Sequence, residues 1–364
     1  MERSASKKQK YLTVSQFALI IFGSIVGVGV LSLPNGVVKE AHQDGWISTL
    51  IGGIYPLYVV IIASYISKKF PKDNILILSK KYFGRIFGSF FNLIFASYFI
   101  FISSMVACYY SNLMRSYIVG FLTSFKLLAI LFICIIYAAS RGLKVIGRIC
   151  EISFYVTIVL LLSPIIALRF PNMTNIYPVF GSGISSIAKG AIKSNYSYSG
   201  AEIILLIYPF LKEKKKMLKS SLISVTIAIA IYVWCVFITI YYLGPDIVNK
   251  CYWSFLVVTE TITVSIINNF RYVFMTFWGL IAFKTISINA YASIYILKEF
   301  AHKIEIKKIY FLMYALFVYL AFRFGNEISR QKINDIVLPW YIIFNLVYMT
   351  AIAVFIFFKE GGKA

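Results

Sequence analysis

Histidine is almost missing from this chain: there are two, His42 and His302, far apart. The five cysteines, at positions 108, 134, 150, 235 and 251, are scattered, mostly inside apolar runs, and no two form a Cys-x-x-Cys pair. A metal or redox site needs such ligands clustered, so neither is expected, and no cofactor is implied. No nucleophile-base pair stands out either, which argues against an enzyme. Acidic residues are scarce as well, 14 Asp and Glu against 36 Lys and Arg, for a formal charge of +22. A nucleic-acid binder gathers its basic residues on one folded face, whereas here they fall in short gaps between apolar runs. The charge reads as membrane topology, and nucleic acid is excluded as a partner.

What the chain has in abundance is apolar sequence, 60% of its 364 residues, with 18% aromatic. That content lies far above a soluble domain and, with its division into long runs, specifies an all-α polytopic membrane protein in contact with lipid. About ten spans are expected, at 15–34, 45–66, 89–117, 126–140, 147–168, 186–211, 218–243, 272–297, 310–322 and 337–358. The connector 67–88 is basic and its ILILSKKYF portion suits a short interfacial helix. Residues 254–268 are only moderately apolar, contain Glu260 and suit a helix on the membrane surface. The basic start followed by an apolar run has the outline of a signal peptide. The run is too long and lacks a small-residue cleavage site, so it is expected to remain as span one. With both termini in the cytoplasm, about two thirds of the 36 Lys and Arg fall on the inner side, as the positive-inside rule requires.

Two spans are weakened. Span one carries Gly23, Gly27 and Gly29 at mid-depth, each costing a helix about 1 kcal/mol, and span six is polar and broken from Ser194 to Gly200. Opened backbone in a bilayer is tolerated only where it faces protein or a water-filled cavity. Close helix packing through small residues is the alternative use of such glycines. Spans one and six hold corresponding places in two halves of five, 13–169 and 184–358, within a single integral domain, 1–364. Paired interrupted helices of this kind point to an inverted-repeat fold with a site at the midplane. Helix N-termini there favour a carboxylate and C-terminal carbonyls an ammonium, a combination that suits an amino acid.

The stretch GSIVGVGVLSLP resembles the first-helix Gly-Ser-x-x-Gly-x-Gly motif of the amino acid, polyamine and organocation transporter superfamily, and YSYSGAE resembles its sixth-helix motif. Within that superfamily, the length, the basic connector after span two and the PFL-KEKKK end of span six are most similar to the spore germination permeases, the B subunits of germinant receptors. The resemblance implies a LeuT-like, five-plus-five inverted repeat with broken helices 1 and 6, and a small germinant, in all expectation an amino acid, bound between them. It further implies partner A and lipoprotein C subunits in the inner membrane of the spore. By motif position Ser24, Ile25, Val26, Gly27, Val28 and Gly29 would form one wall, and Tyr196, Ser197, Tyr198, Ser199 and Gly200 the other, with the tyrosines closing over ligand or serving interhelical packing. Val28 stands where many relatives have Ser, which removes a hydroxyl from the first wall.

Two charges lie at membrane depth. Glu202 follows the break in span six, and Lys284 is 13 residues from Arg271 and 14 from Lys298, too deep to snorkel. Glu202 is a candidate for proton coupling or a structural carboxylate bonded to the opened backbone. Lys284 would be a proton site, a fixed cation bracing span eight against span one in the place where related transporters hold sodium, or a structural ion pair with Glu202. Glu151, by contrast, reads as an interfacial charge at a helix start. The expectation is a nutrient-sensing receptor subunit. A proton-coupled amino-acid transporter and a passive water or ion channel are the alternatives.

Overall fold

The computed structural model describes residues 11–169, 172–260, 270–301 and 304–360. Its helices are α1 (Val14–Ile25), α2 (Leu33–Ala41), α3 (Gly45–Gly52), α4 (Ile54–Lys69), α5 (Ile75–Tyr117), α6 (Ser124–Ser140), α7 (Leu143–Leu162), α8 (Ile184–Ser197), α9 (Ile204–Ile207), α10 (Met217–Leu243), α11 (Pro245–Lys250), α12 (Ser254–Thr259), α13 (Phe270–Lys298), α14 (Ile306–Arg323) and α15 (Glu327–Glu360). Among the described residues six stretches, Leu33–Lys69, Ile75–Tyr117, Leu143–Arg169, Lys214–Leu243, Phe270–Lys298 and Glu327–Lys359, are long and apolar enough to cross a membrane alone. The apolar helices Val14–Ile25, Ser124–Ser140 and Ala201–Phe210 are shorter. At 1.5 Å per residue α1 covers about 18 Å, so span one crosses only by joining α1 to α2. Span six is likewise assembled from α8 and the short turns through Phe210.

The core is apolar with polar side chains set into it, and the exterior differs from that of a water-soluble protein. Ser103, Ser153, Thr157, Ser287, Asn289 and Ser293 are buried, while large apolar side chains such as Ile54, Phe311 and Trp340 stand outward. An outward apolar surface of this extent is what hydrocarbon solvates. Inside, α5 and α13 pack against each other along much of their length, and α8 packs on α2 and α3.

Local chemistry explains the joints. Thr13 and Gln16 form a capping box that starts α1, with Gln16 N–H donating to Thr13 Oγ1 at 3.1 Å. The ILILSKKYF segment is helical as expected, but it is continuous with span three through Gly84, whose φ of +81 turns the chain. Asn92 Nδ2 then donates to Leu76 O at 3.1 Å, clasping the two arms of that elbow. The expected surface helix at 254–268 is present as α12, yet Ser254, Phe255, Leu256 and Val258 are buried. It is packed within the protein, against α10 and the turn after α1, and its remainder at 261–269 lies outside the described residues. Moderate apolarity does not distinguish a lipid interface from a protein one.

Candidate functional site

Helix α1 stops at Ile25 because Val26 (φ −79, ψ 96) and Gly27 (φ −130, ψ −159) are extended. The chain re-enters helix as a 3-10 turn, Val28–Leu31, and then α2, with Pro34 in its first turn. A helix that ends at mid-membrane leaves carbonyls without intrahelical partners. Three side chains take them. Thr285 Oγ1 donates to Gly23 O at 3.1 Å, Tyr232 OH to Ile25 O at 2.7 Å, and Lys284 Nζ to Val26 O at 2.8 Å. The ammonium thus meets the negative end of the α1 dipole, an arrangement worth up to about 2 kcal/mol when partly buried. It also lies 5.4 Å from the centre of the Phe22 ring.

Span six opens in the mirrored place. α8 ends at Ser197, Gly200 takes φ +114, and Ala201–Ile203 restarts the chain as a 3-10 turn leading into α9. A Cβ on Gly200 would stand 2.4 Å from Ser24 O, so the two breaks are in direct backbone contact and only glycine permits it. Glu202, fully buried, turns back on this turn and accepts from Gly200 N–H at 2.8 Å. It also accepts from Tyr98 OH at 2.9 Å, from Tyr55 OH, and from Asn345 Nδ2 at 3.4 Å. One carboxylate therefore ties spans two, three and ten to the break. Lys284 and Glu202 do not pair: Lys284 bonds to the opened end of span one and Glu202 to the opened turn of span six, and neither is in an ion pair among the described residues.

Beside this junction lies a cavity of about 170 Å³. Ser24, Ile25, Gly27, Val28 and Gly29 line it from the first break and Tyr196, Ser197 and Ser199 from the second. The other three residues of the expected walls are placed elsewhere. Val26 is buried beneath its bond to Lys284, Gly200 is pressed on Ser24, and Tyr198 points away, its hydroxyl donating to Thr49 O at 2.9 Å. Lys284 and Glu202 stand behind the walls, not on them. Sequence reasoning missed the facing wall, Ile102 and Met105 of α5 and Leu338 of α15, because no motif marks it. Thr285 was within reach, since a polar run KTISIN in mid-span is as anomalous as the lysine that begins it.

The cavity leads toward the start of α15, where Glu327 and Arg330 pair with Nε to Oε2 at 3.0 Å and Lys193 meets Asp335 at 3.8 Å. The opposite side is shut. Leu12 N–H donates to Phe210 O at 2.8 Å and Lys212 N–H to Leu12 O at 3.1 Å, a backbone bridge between buried Leu12 and Leu211. Gln16 reinforces the entry of α1 by donating to Glu151 Oε2 at 3.4 Å.

Two broken spans meeting at a central cavity, in an all-helical chain of about ten spans, define a membrane protein of the five-plus-five inverted-repeat, LeuT-like class. The solved structure of MhsT in complex with L-phenylalanine superposes with a TM-score of 0.61 over 94% of this chain and 88% of that one, at 13% identity. More specifically, the profile of a family described as Spore germination protein matches residues 11–358, and the chain belongs to that family. Similar proteins are YndE of Bacillus subtilis (strain 168), 23% identical over 78% of this chain and 79% of that one, and GerQB of Bacillus cereus, 23% identical over 85% and 84%. A third, spore germination protein A2 of Bacillus subtilis (strain 168), is 24% identical over 79% and 80%.

Proposed function

We propose that this chain is the nutrient-sensing subunit of a spore germinant receptor, which binds a small germinant, an amino acid, between the breaks of spans one and six. It would sit in the inner membrane of the spore with both termini cytoplasmic and signal to partner A and lipoprotein C subunits. The observation that carries the reading is the contact of Gly200 with the Ser24 carbonyl beside a cavity. Ligand lodged against one break then bears on the other, and shifts the equilibrium between conformations by its difference in affinity for them.

The backbone suits a zwitterion. The first N–H groups of the turn Val28–Leu31 have no intrahelical partner and favour a carboxylate. The α1 carbonyls are engaged by Thr285, Tyr232 and Lys284, and at the carboxyl end of α8 Ser199 Oγ donates to Tyr196 O at 2.8 Å and Tyr232 OH to Ser197 O at 3.2 Å, so an ammonium there would use the second lone pairs of those carbonyls. The apolar facing wall suits a ligand stem. That a protein of like fold is found with L-phenylalanine makes amino acids the first ligands to test.

A cavity open at one end and bridged shut at the other is also one state of an alternating site, which favours a proton-coupled amino-acid transporter as the second reading. Purified protein, tested by thermal shift with an amino-acid panel and then in liposomes, separates the two. Binding without sustained uptake supports the receptor, and uptake supports the transporter. No stabilisation by any amino acid would overturn both.

A further inference from the structure

A second depression lies on the outward surface of the bundle and shares no residue with the cavity at the breaks. α15 packs along α4, while α8 packs on α3 and meets α15 only slightly, so a groove of about 950 Å³ opens between them. Gly52, Ala188, Ala191 and Ala351 supply the room, and Val347 and Phe355 part of the apolar rim. The volume is at the upper end of the roughly 300–1,000 Å³ typical of ligand pockets. Its polar side chains are turned into the protein. Tyr55 OH donates to Glu202, Tyr58 OH shares a hydrogen bond with Thr350 Oγ1 at 2.8 Å, and Asn195 donates its amide to Gly52 O at 2.9 Å. Along its length the groove therefore offers an occupant hydrocarbon contact.

One end of the groove is charged. Phe355 stacks there on Tyr82, with ring centroids 6.3 Å and planes 13° apart. The ammoniums of Lys81, just before the Gly84 elbow of α5, and of Lys359, in the last turn of α15, stand 5.5 and 5.6 Å from the centre of that same Tyr82 ring. Both lysines are exposed and neither is in an ion pair among the described residues, whereas Lys80 beside them is held by Glu299 at 3.2 Å. Two cations drawn from different spans onto one ring repel each other until an anion joins them. From Phe355 back to Leu346, also on the groove, is nine residues, about 14 Å of helix and close to half of a hydrocarbon core roughly 30 Å thick. We propose that the groove is a site for an anionic phospholipid, its phosphate held between Lys81 and Lys359 and one acyl chain laid along α15 from Phe355 to Leu346. Such a lipid combines the two parts in the order the surface presents them, an anion at the membrane surface and a chain that reaches the midplane.

The test is native mass spectrometry of the purified full chain titrated with dioleoylphosphatidylglycerol or its zwitterionic counterpart dioleoylphosphatidylcholine. The anionic lipid is expected to bind at least about tenfold tighter. Lys81→Gln and Lys359→Gln should each weaken it about fivefold, the effect of one basic residue beside an anionic lipid surface. The paired change Lys307→Gln with Lys308→Gln, on α14, which does not line the groove, should leave it within about twofold. Ala351→Phe fills the groove and should reduce the anionic lipid to the level of the zwitterionic one at an unchanged melting temperature. Equal binding of the two lipids by the wild type, an equal loss from the α14 pair, or normal binding by the Phe variant would overturn the proposal. A dimer of this chain that Ala351→Phe dissolves, with no lipid retained, would overturn it too and assign the groove to a second copy.

Discussion

The ammonium of Lys284 donates to the carbonyl of Val26, the first residue beyond the end of α1, at 2.8 Å. The lysine belongs to span eight and its acceptor to the opened turn of span one, so one side chain fixes where the break sits.

Lys284→Met keeps the apolar stem and deletes the charge, leaving Val26 O without its donor. Abundance in the membrane should be normal, because losing a buried charge eases insertion, while nutrient response or ligand binding should be lost. Lys284→Arg should retain part of the function. Germination assays with immunoblots check this, and a normal response of the Met variant at normal abundance would remove the proposed brace.

Two glycines should behave in opposite ways. Gly200→Ala places a Cβ 2.4 Å from Ser24 O at φ +114, and should cost about 3 kcal/mol or prevent accumulation. At Gly29 a Cβ meets nothing within 4 Å, so Gly29→Leu should fold normally and extend into the cavity. Thermal unfolding should separate them, with ligand response abolished in the Leu variant despite an unchanged melting temperature.

The tyrosines of span six should also divide. Tyr198→Phe loses the bond to Thr49 O and should cost about 1 kcal/mol of stability, with the nutrient concentration for half response moving less than about twofold. Tyr196→Ala removes a cavity wall, and should move that concentration by about tenfold or more with little change in stability.

Leu12→Pro deletes the N–H that donates to Phe210 O and so weakens the bridge on the closed side. At about 1 kcal/mol for one bond, the open population should rise about fivefold. A Ser24→Cys probe in a background without the native cysteines should then label about five times faster from that side. Unchanged labelling would mean the bridge is no barrier.

Much of this was legible in the residues. Gly27 and Gly29 marked the first break, the polar stretch ending at Gly200 marked the second, and the depth of Lys284 required it to face protein. The partners were not legible. Glu202 draws on Tyr55, Tyr98 and Asn345, more than 100 residues away in three different spans, and no local pattern announces such a cluster. Nor does sequence say which of two tyrosines faces the cavity: residues two apart on a helix point to nearly opposite sides, so Tyr196 and Tyr198 part company.

The positions of Lys284 and Glu202 bear on the sensing role proposed above. Each opened helix end meets an ionisable side chain of the chain itself, Lys284 at Val26 O and Glu202 at Gly200 N–H. A sensor with an ion in its binding junction would answer to two concentrations at once, that of the nutrient and that of the salt around it. In that proposed role, a receptor with both counter-charges built in would answer to the nutrient alone.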